Sequence, residues 1–114
     1  MNIYEDMIDK INTYGWGRTR LISANGSVCI LGAKALAMGI DLQHASVAQE
    51  DTVYQNDEHV QKIALVIAEQ YPEWVSEFQE TFDDAIDLCY SFNDHNGRTK
   101  EEIIAILEKA AASA

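Results

Sequence analysis

The apolar residues near the amino terminus recur at the spacing of an amphipathic helix. Tyr4, Ile8 and Ile11 fall on one helical face, which predicts a first helix over residues 3–14. The sequence Gly15-Trp16-Gly17 follows directly and is expected to end this helix, because glycine leaves the helical conformation at little cost.

Residues 28–38 are apolar on nearly every side, and Lys34 alone interrupts them. A helix with this pattern belongs in the middle of a protein, so we expect it to form the centre of the fold. The preceding segment, residues 19–27, is the least helical part of the chain. Its Asn25-Gly26 dipeptide is typical of a tight turn, which fits either a short hairpin or an extended loop.

The second half predicts three more helices. One spans residues 57–70, the next runs from Pro72 to about Phe92, and the last begins after Thr99, which forms a capping-box pattern with Glu102. A long polar connection over 40–57 is expected to hold a turn of helix or a functional loop. These elements indicate a mainly α fold of about five helices in a single domain, residues 1–114.

The net negative charge of the chain limits the kinds of molecule that it can bind. Eight Lys and Arg against 19 Asp and Glu give −11 at neutral pH. This balance disfavours direct binding to nucleic acid or to anionic membranes, both of which attract clustered cations. The chain shows neither a signal-peptide pattern nor a membrane-spanning apolar run, so we expect a cytoplasmic protein whose two cysteines are reduced.

Residues 41–98 supply the whole acidic excess, with 13 acidic against two basic residues, and the predicted helix 72–92 within them carries no basic residue. On a helical wheel five carboxylates share the side opposite the apolar face, in a stripe about 21 Å long: Glu73, Glu77, Glu80, Asp84 and Asp87. Like charges at this spacing cost about 0.2–0.5 kcal/mol per pair. A solvated face is the plain interpretation, and the alternative is a surface that binds a basic protein. In its sharper form the protein is a phage-encoded inhibitor that occupies the basic groove of a nucleic-acid-binding protein.

Cys29 suggests a competing enzymatic hypothesis. It opens the central helix, and a thiol at a helix amino terminus can have a lowered pKa, as in cysteine hydrolases. His44, His59 and His95 are candidate bases. Their spacing matches no zinc motif, and the sequence contains no phosphate-binding loop, so neither a metal nor a cofactor is expected.

Three short motifs resemble an uncharacterised family of small proteins from actinobacteria and their phages, a domain of unknown function. They are Trp16, the stretch Gly26-Ser-Val-Cys-Ile-Leu-Gly-Ala33, and Phe92-Asn-Asp94 followed by Arg98-Thr99. The resemblance implies one structural cluster, in which Asn93 and Asp94 approach the start of the central helix. Its members are Trp16, Gly26, Cys29, Gly32, Ala33, Asn93, Asp94 and Thr99. A third functional hypothesis is a component of a larger assembly that contacts its neighbours through exposed apolar residues such as Trp16.

Overall fold

Helices dominate the computed structural model, which describes residues 2–18, 20–44, 46–53, 55, 57–78 and 83–113. The predicted mainly α fold class is confirmed. No described helix is long and apolar enough to cross a membrane. The helices are α1 (Ile3–Tyr14), α2 (Ile30–Ala37), α3 (Val47–Val53), α4 (Glu58–Gln70), α5 (Pro72–Phe78), α6 (Ala85–Asp94) and α7 (Lys100–Ala112).

Local capping fixes both ends of α1, which has the predicted bounds. The Asn2 side chain accepts a hydrogen bond from the Glu5 backbone N–H at 3.0 Å, and the Glu5 carboxylate accepts one from the Asn2 backbone in return. At the other end Gly15 adopts a φ of +90° and donates its N–H to the Ile11 carbonyl. The local caps at Asn2 and Gly15 therefore account for the bounds of α1.

The segment between α1 and α2 forms a minimal hairpin. Val28 makes an antiparallel bridge with Ile22 and a parallel bridge with Trp16, and neither bridge extends into a strand. A turn closes the hairpin where Gly26, at a φ of +90°, donates its N–H to the Ser23 carbonyl at 2.9 Å. The positive φ explains why glycine occupies this position. Residues 20–27 thus form a turn next to isolated bridges without strands, which lies between the two predicted alternatives, and Thr19 is outside the described residues.

Helix α2 lies in the interior and packs against α1, α3 and α6. Every residue from Ile30 to Ala35 is buried, including Lys34, whose exposed fraction is 0%. The helix begins at Ile30 rather than at Val28, because Val28 is held in the bridges and Cys29 occupies the N-cap. The expected central helix is present, with a fully buried lysine in its second turn.

An ion pair between a buried lysine and a partly exposed aspartate joins α2 to the start of α4. The Lys34 Nζ lies 2.5 Å from Oδ2 of Asp57, whose other oxygen accepts a hydrogen bond from the Val60 N–H at 2.9 Å. Asp57 is thus both the counterion of Lys34 and the N-cap of α4. Burial opposes its charge, but the hydrogen bonds from Lys34 and Val60 outweigh that effect and hold the Asp57 pKa below its ordinary value.

The prediction of one helix from Pro72 to Phe92 is wrong. Helix α5 ends at Phe78, and α6 begins at Ala85. Between them Asp84 has an extended backbone, with φ −160° and ψ −177°, because its side chain caps α6. Aspartate competes with helix continuation in this way, since its carboxylate bonds to nearby backbone N–H groups.

Two predictions for the polar segments are confirmed. The long connection over 40–57 contains the short helix α3. Thr99 and Glu102 form the expected capping box at the start of α7: the Thr99 hydroxyl accepts from the Glu102 N–H, and the Glu102 carboxylate accepts from the Thr99 N–H at 2.9 Å. The Thr99–Glu102 pattern therefore marked the start of α7 correctly.

Replacing Asp57 with alanine should destabilise the protein by about 3 kcal/mol, since it leaves the Lys34 ammonium buried without a counterion. Chemical denaturation of wild type and variant measures the difference in unfolding free energy. Lys34→Met is the matched control and should cost clearly less, because it removes the charge together with the need for a partner. Equal losses in the two variants would contradict this account.

The Asp57 contribution should also depend on pH. Its folded-state pKa is lowered, so the stabilisation is present above the unfolded pKa of about 3.9 and is lost as the pH falls through the folded value. The stability difference between wild type and Asp57→Ala should therefore be largest near neutral pH and shrink in acid.

Candidate functional site

The Asn93 side chain connects three parts of the fold. It is fully buried at the end of α6. Its Oδ1 accepts hydrogen bonds from the Trp16 indole N–H at 2.8 Å and from the Ile30 backbone N–H at 3.0 Å. Its Nδ2 donates to the Gly17 carbonyl at 3.2 Å and to the Asp94 carboxylate at 3.0 Å. Asn93 thus satisfies a free N–H group at the buried start of α2.

Trp16 is a packing residue in this arrangement. Its side chain is partly buried against the core, and its N–H is already bonded to Asn93. The hypothesis of a larger assembly predicted that Trp16 is exposed and contacts a neighbouring protein. The observed position of Trp16 disfavours such a contact.

Cys29 lies at the N-cap of α2, where its Sγ accepts a hydrogen bond from the Gly32 N–H at 3.3 Å. The expectation of a lowered pKa is nevertheless wrong. Burial raises the pKa of the Cys29 thiol to about 11, and this effect exceeds the lowering by the backbone N–H groups. A thiol with that pKa is protonated at neutral pH, so Cys29 lacks the thiolate that nucleophilic catalysis requires.

The small residues of the cluster allow close packing around the start of α2. A Cβ atom on Gly32 would lie 1.9 Å from the Leu21 carbonyl oxygen, so no other residue fits there without moving the backbone. Ala33 is completely buried beside it. Gly26 lies in the hairpin turn, and Thr99 caps α7. The structure therefore brings Trp16, Cys29, Gly32, Asn93 and Asp94 around one helix start, whereas Gly26 and Thr99 serve neighbouring turns.

The predicted acidic stripe is divided between two short helices. Glu73 and Glu77 are exposed and lie one turn apart on α5, while Asp84 and Asp87 lie at the start of α6. Glu80 is outside the described residues. Asp84 and Asp87 occupy the amino terminus of α6, where negative charge is stabilising.

Asp84 and Asp87 have a capping function. The Asp84 carboxylate accepts from the Asp87 N–H at 3.0 Å, and the Asp87 carboxylate accepts from the Asp83 N–H at 3.1 Å. Burial acts to raise the pKa of Asp87, but hydrogen bonds from the Asp83 backbone and from the Tyr90 and Ser91 side chains hold that pKa below its ordinary value. These two carboxylates are therefore explained by helix initiation, without a partner.

The sequence did not predict the partners of two buried cations, Lys34 and Arg98. The Arg98 Nε donates to the Phe92 carbonyl at 2.9 Å, and its Nη1 lies 3.2 Å from the Glu102 carboxylate. Its guanidinium carbon is 3.7 Å from the centre of the Phe92 ring, at cation–π distance. The only local signal for this role is its position between the predicted turn and the capping box. Arg98 therefore links the end of α6 to the start of α7 through these contacts.

Sequence reasoning also missed a groove between α1 and α7. Its volume is about 610 Å³, and its lining combines carboxylates with small apolar side chains: Glu5, Ile8, Asp9, Asn12, Glu108, Ala111 and Ala112. Each helix reads as an ordinary amphipathic helix on its own, so only the pairing of α1 with α7 creates the groove. Within the described part of the chain, no group of three or more acidic, histidine or cysteine side chains is placed to hold a metal ion.

Comparison with known proteins assigns the chain to a family. A family model described as DUF6197, a family of unknown function, matches residues 1–113. The chain belongs to the DUF6197 family. The resemblance inferred from the sequence motifs is thereby confirmed at the level of a family of unknown function. Searches of the curated proteins and of the solved structures found no match. For this DUF6197 member the structure assigns the motif residues Asn93 and Gly32 to the packing of α2.

Replacing Asn93 with alanine should destabilise this DUF6197 protein by about 3 kcal/mol, because the Trp16 and Ile30 N–H groups lose their shared acceptor inside the fold. Asn96→Ala, in the exposed turn after α6, is the matched control and should change stability by less than about 0.5 kcal/mol. Urea denaturation followed by tryptophan fluorescence measures both. If the two variants lose the same stability, the proposed connecting role of Asn93 is incorrect.

Neither cysteine should react with a thiol reagent in the folded protein at neutral pH. Burial raises the pKa to about 11 for Cys29 and to about 12 for Cys89, and both side chains are inaccessible. Both should react rapidly once denaturant unfolds the chain. Fast native-state labelling of Cys29 alone would reinstate the hydrolase hypothesis.

Proposed function

We propose that this protein is a non-catalytic module that binds a basic surface of another protein through exposed carboxylates on α5, while the carboxylates at the start of α6 add to the negative potential. The observation that supports the proposal is the exposure of Glu73 and Glu77. Both are exposed, and within the described residues neither is in an ion pair with lysine or arginine. The chain has no Lys or Arg from residue 63 to residue 97, so this surface has no nearby source of neutralisation along the sequence.

The carboxylates at the start of α6 add to the same negative potential. Asp87 remains ionised at neutral pH because its hydrogen bonds keep its pKa low. The Asp87 carboxylate accepts hydrogen bonds with some of its lone pairs, and it still carries its negative charge. A partner with clustered Lys and Arg would gain a long-range attraction toward this end of the molecule, which raises the rate of association.

The proposed partner class is a basic nucleic-acid-binding protein in the cytoplasm of a bacterium, with this chain encoded by the bacterium or by an infecting phage. Carboxylates one helical turn apart are spaced about 5–6 Å from each other, similar to the charges of a nucleic-acid strand. The acidic surface would then compete with nucleic acid for a basic groove. The Cys29 hydrolase is the weaker alternative, since a protonated, buried thiol offers no nucleophile.

A displacement assay tests this function. A purified basic duplex-binding domain is loaded with labelled DNA, and release of the DNA is measured as this protein is added. Wild type should displace the DNA, and the double variant Glu73→Gln, Glu77→Gln should be about fivefold weaker, since each lost surface charge costs about 0.5 kcal/mol. Displacement should also weaken as the salt concentration rises.

The matched control is Glu58→Gln with Glu101→Gln, which removes two exposed charges from α4 and α7 instead. It should displace DNA almost as well as wild type. The proposal fails if the two double variants behave alike, or if displacement is insensitive to salt.

A further inference from the structure

We infer that the groove between α1 and α7 docks an amphipathic helix of a partner protein, with lysine or arginine on the rim-facing side of that helix. This inference adopts the partner class of the proposed function and assigns it a second, separate surface. The groove is formed by one face of α1, residues Ile8, Asp9 and Asn12, against the last turns of α7. It is a shallow groove, wide open to solvent, with a volume of about 610 Å³.

The floor of the groove favours close approach by another helix. Ile8 is partly buried there, and Ala111 and Ala112 present only methyl groups. Small side chains let helix backbones pack closely, as in other recognition sites in which a helix lies in a groove. Apolar residues of the incoming helix would remove this surface from water, which supplies the non-electrostatic part of the binding.

The rim of the groove selects cations. Asp9 and Glu108 are exposed, and within the described residues neither is in an ion pair with lysine or arginine. Glu5 already accepts the Asn2 N–H in the capping box, but it keeps its charge toward the groove. Lys62 reaches the end of α7 by donating to the Ser113 carbonyl, and it does not line the groove.

The carboxyl terminus of α7 reinforces this negative character. Its last carbonyl groups carry the negative end of the helix dipole beside Ala111 and Ala112. The Asn2 side chain donates to the Ala111 carbonyl at 3.1 Å, and the Ser113 hydroxyl donates to the Lys109 and Ala110 carbonyls. A second copy of this chain would bring its own net charge of −11 to the site, so a basic partner is the favoured occupant.

A defined peptide tests the inference with the folded protein. The probe is a synthetic amphipathic helix about four turns long, built from Ala and Leu on one face and Lys on the other, and a version with Glu in place of Lys is the control peptide. Fluorescence anisotropy measures affinity. Asp9→Asn with Glu108→Gln should weaken binding of the Lys peptide about fivefold, while Glu73→Gln with Glu77→Gln should change it by less than about twofold.

Amide chemical shifts locate the bound peptide. Shifts at Ile8, Asn12, Ala111 and Ala112 that the Glu peptide does not produce support the inference. Shifts confined to α5 and the start of α6, with loss of binding in the Glu73 and Glu77 variant, overturn it and leave the proposed function standing. Equal weakening in both double variants also overturns it, because it indicates attraction to charge without a specific groove. Self-association through this groove, seen as a doubled native mass, would overturn it too.

Discussion

Complete burial of the first turns of α2 is the constraint on which the rest of the structure depends. A helix that no water reaches must find partners for its polar groups within the protein. The Ile30 N–H is satisfied by Asn93, and the charge of the Lys34 ammonium is paired with Asp57. Gly32 is glycine because the Leu21 carbonyl lies against it. Each of these contacts joins α2 to a different part of the chain. The polar groups and the tight packing of α2 therefore determine how the surrounding elements are arranged.

This constraint also determines what the motif residues do. Asn93 and Cys29 hold the start of α2 in place, and the same burial that makes their hydrogen bonds effective keeps the Cys29 thiol protonated. A chemically suggestive cysteine at a helix start is therefore a structural cap in this fold. Because the interior residues are occupied in this way, function is best sought on the surface of the molecule.

Local signals predicted the parts of the fold that depend on neighbouring residues. The bounds of α1 and the capping box of α7 follow from side chains within one turn of the backbone groups they bind. The break between α5 and α6 was not predictable by periodicity, because apolar residues keep a helical spacing across it and only the capping by Asp84 reveals it. The Trp16–Asn93 contact joins residues 77 positions apart, and no local pattern encodes such a pairing.

The net charge of the chain overstates the negative surface that a partner could bind. Several carboxylates are committed to capping helices or to neutralising buried cations: Glu5, Asp57, Asp84, Asp87 and Glu102. A partner that bound these carboxylates directly would break the hydrogen bonds and ion pairs that stabilise the fold. We therefore expect them to attract a basic partner through their charge without contacting it. The carboxylates without such a task, among them Glu73 and Glu77 on α5 and Asp9 and Glu108 beside the groove, can bind a cation at no structural cost. Recognition of a basic protein should therefore depend on these few side chains rather than on total charge.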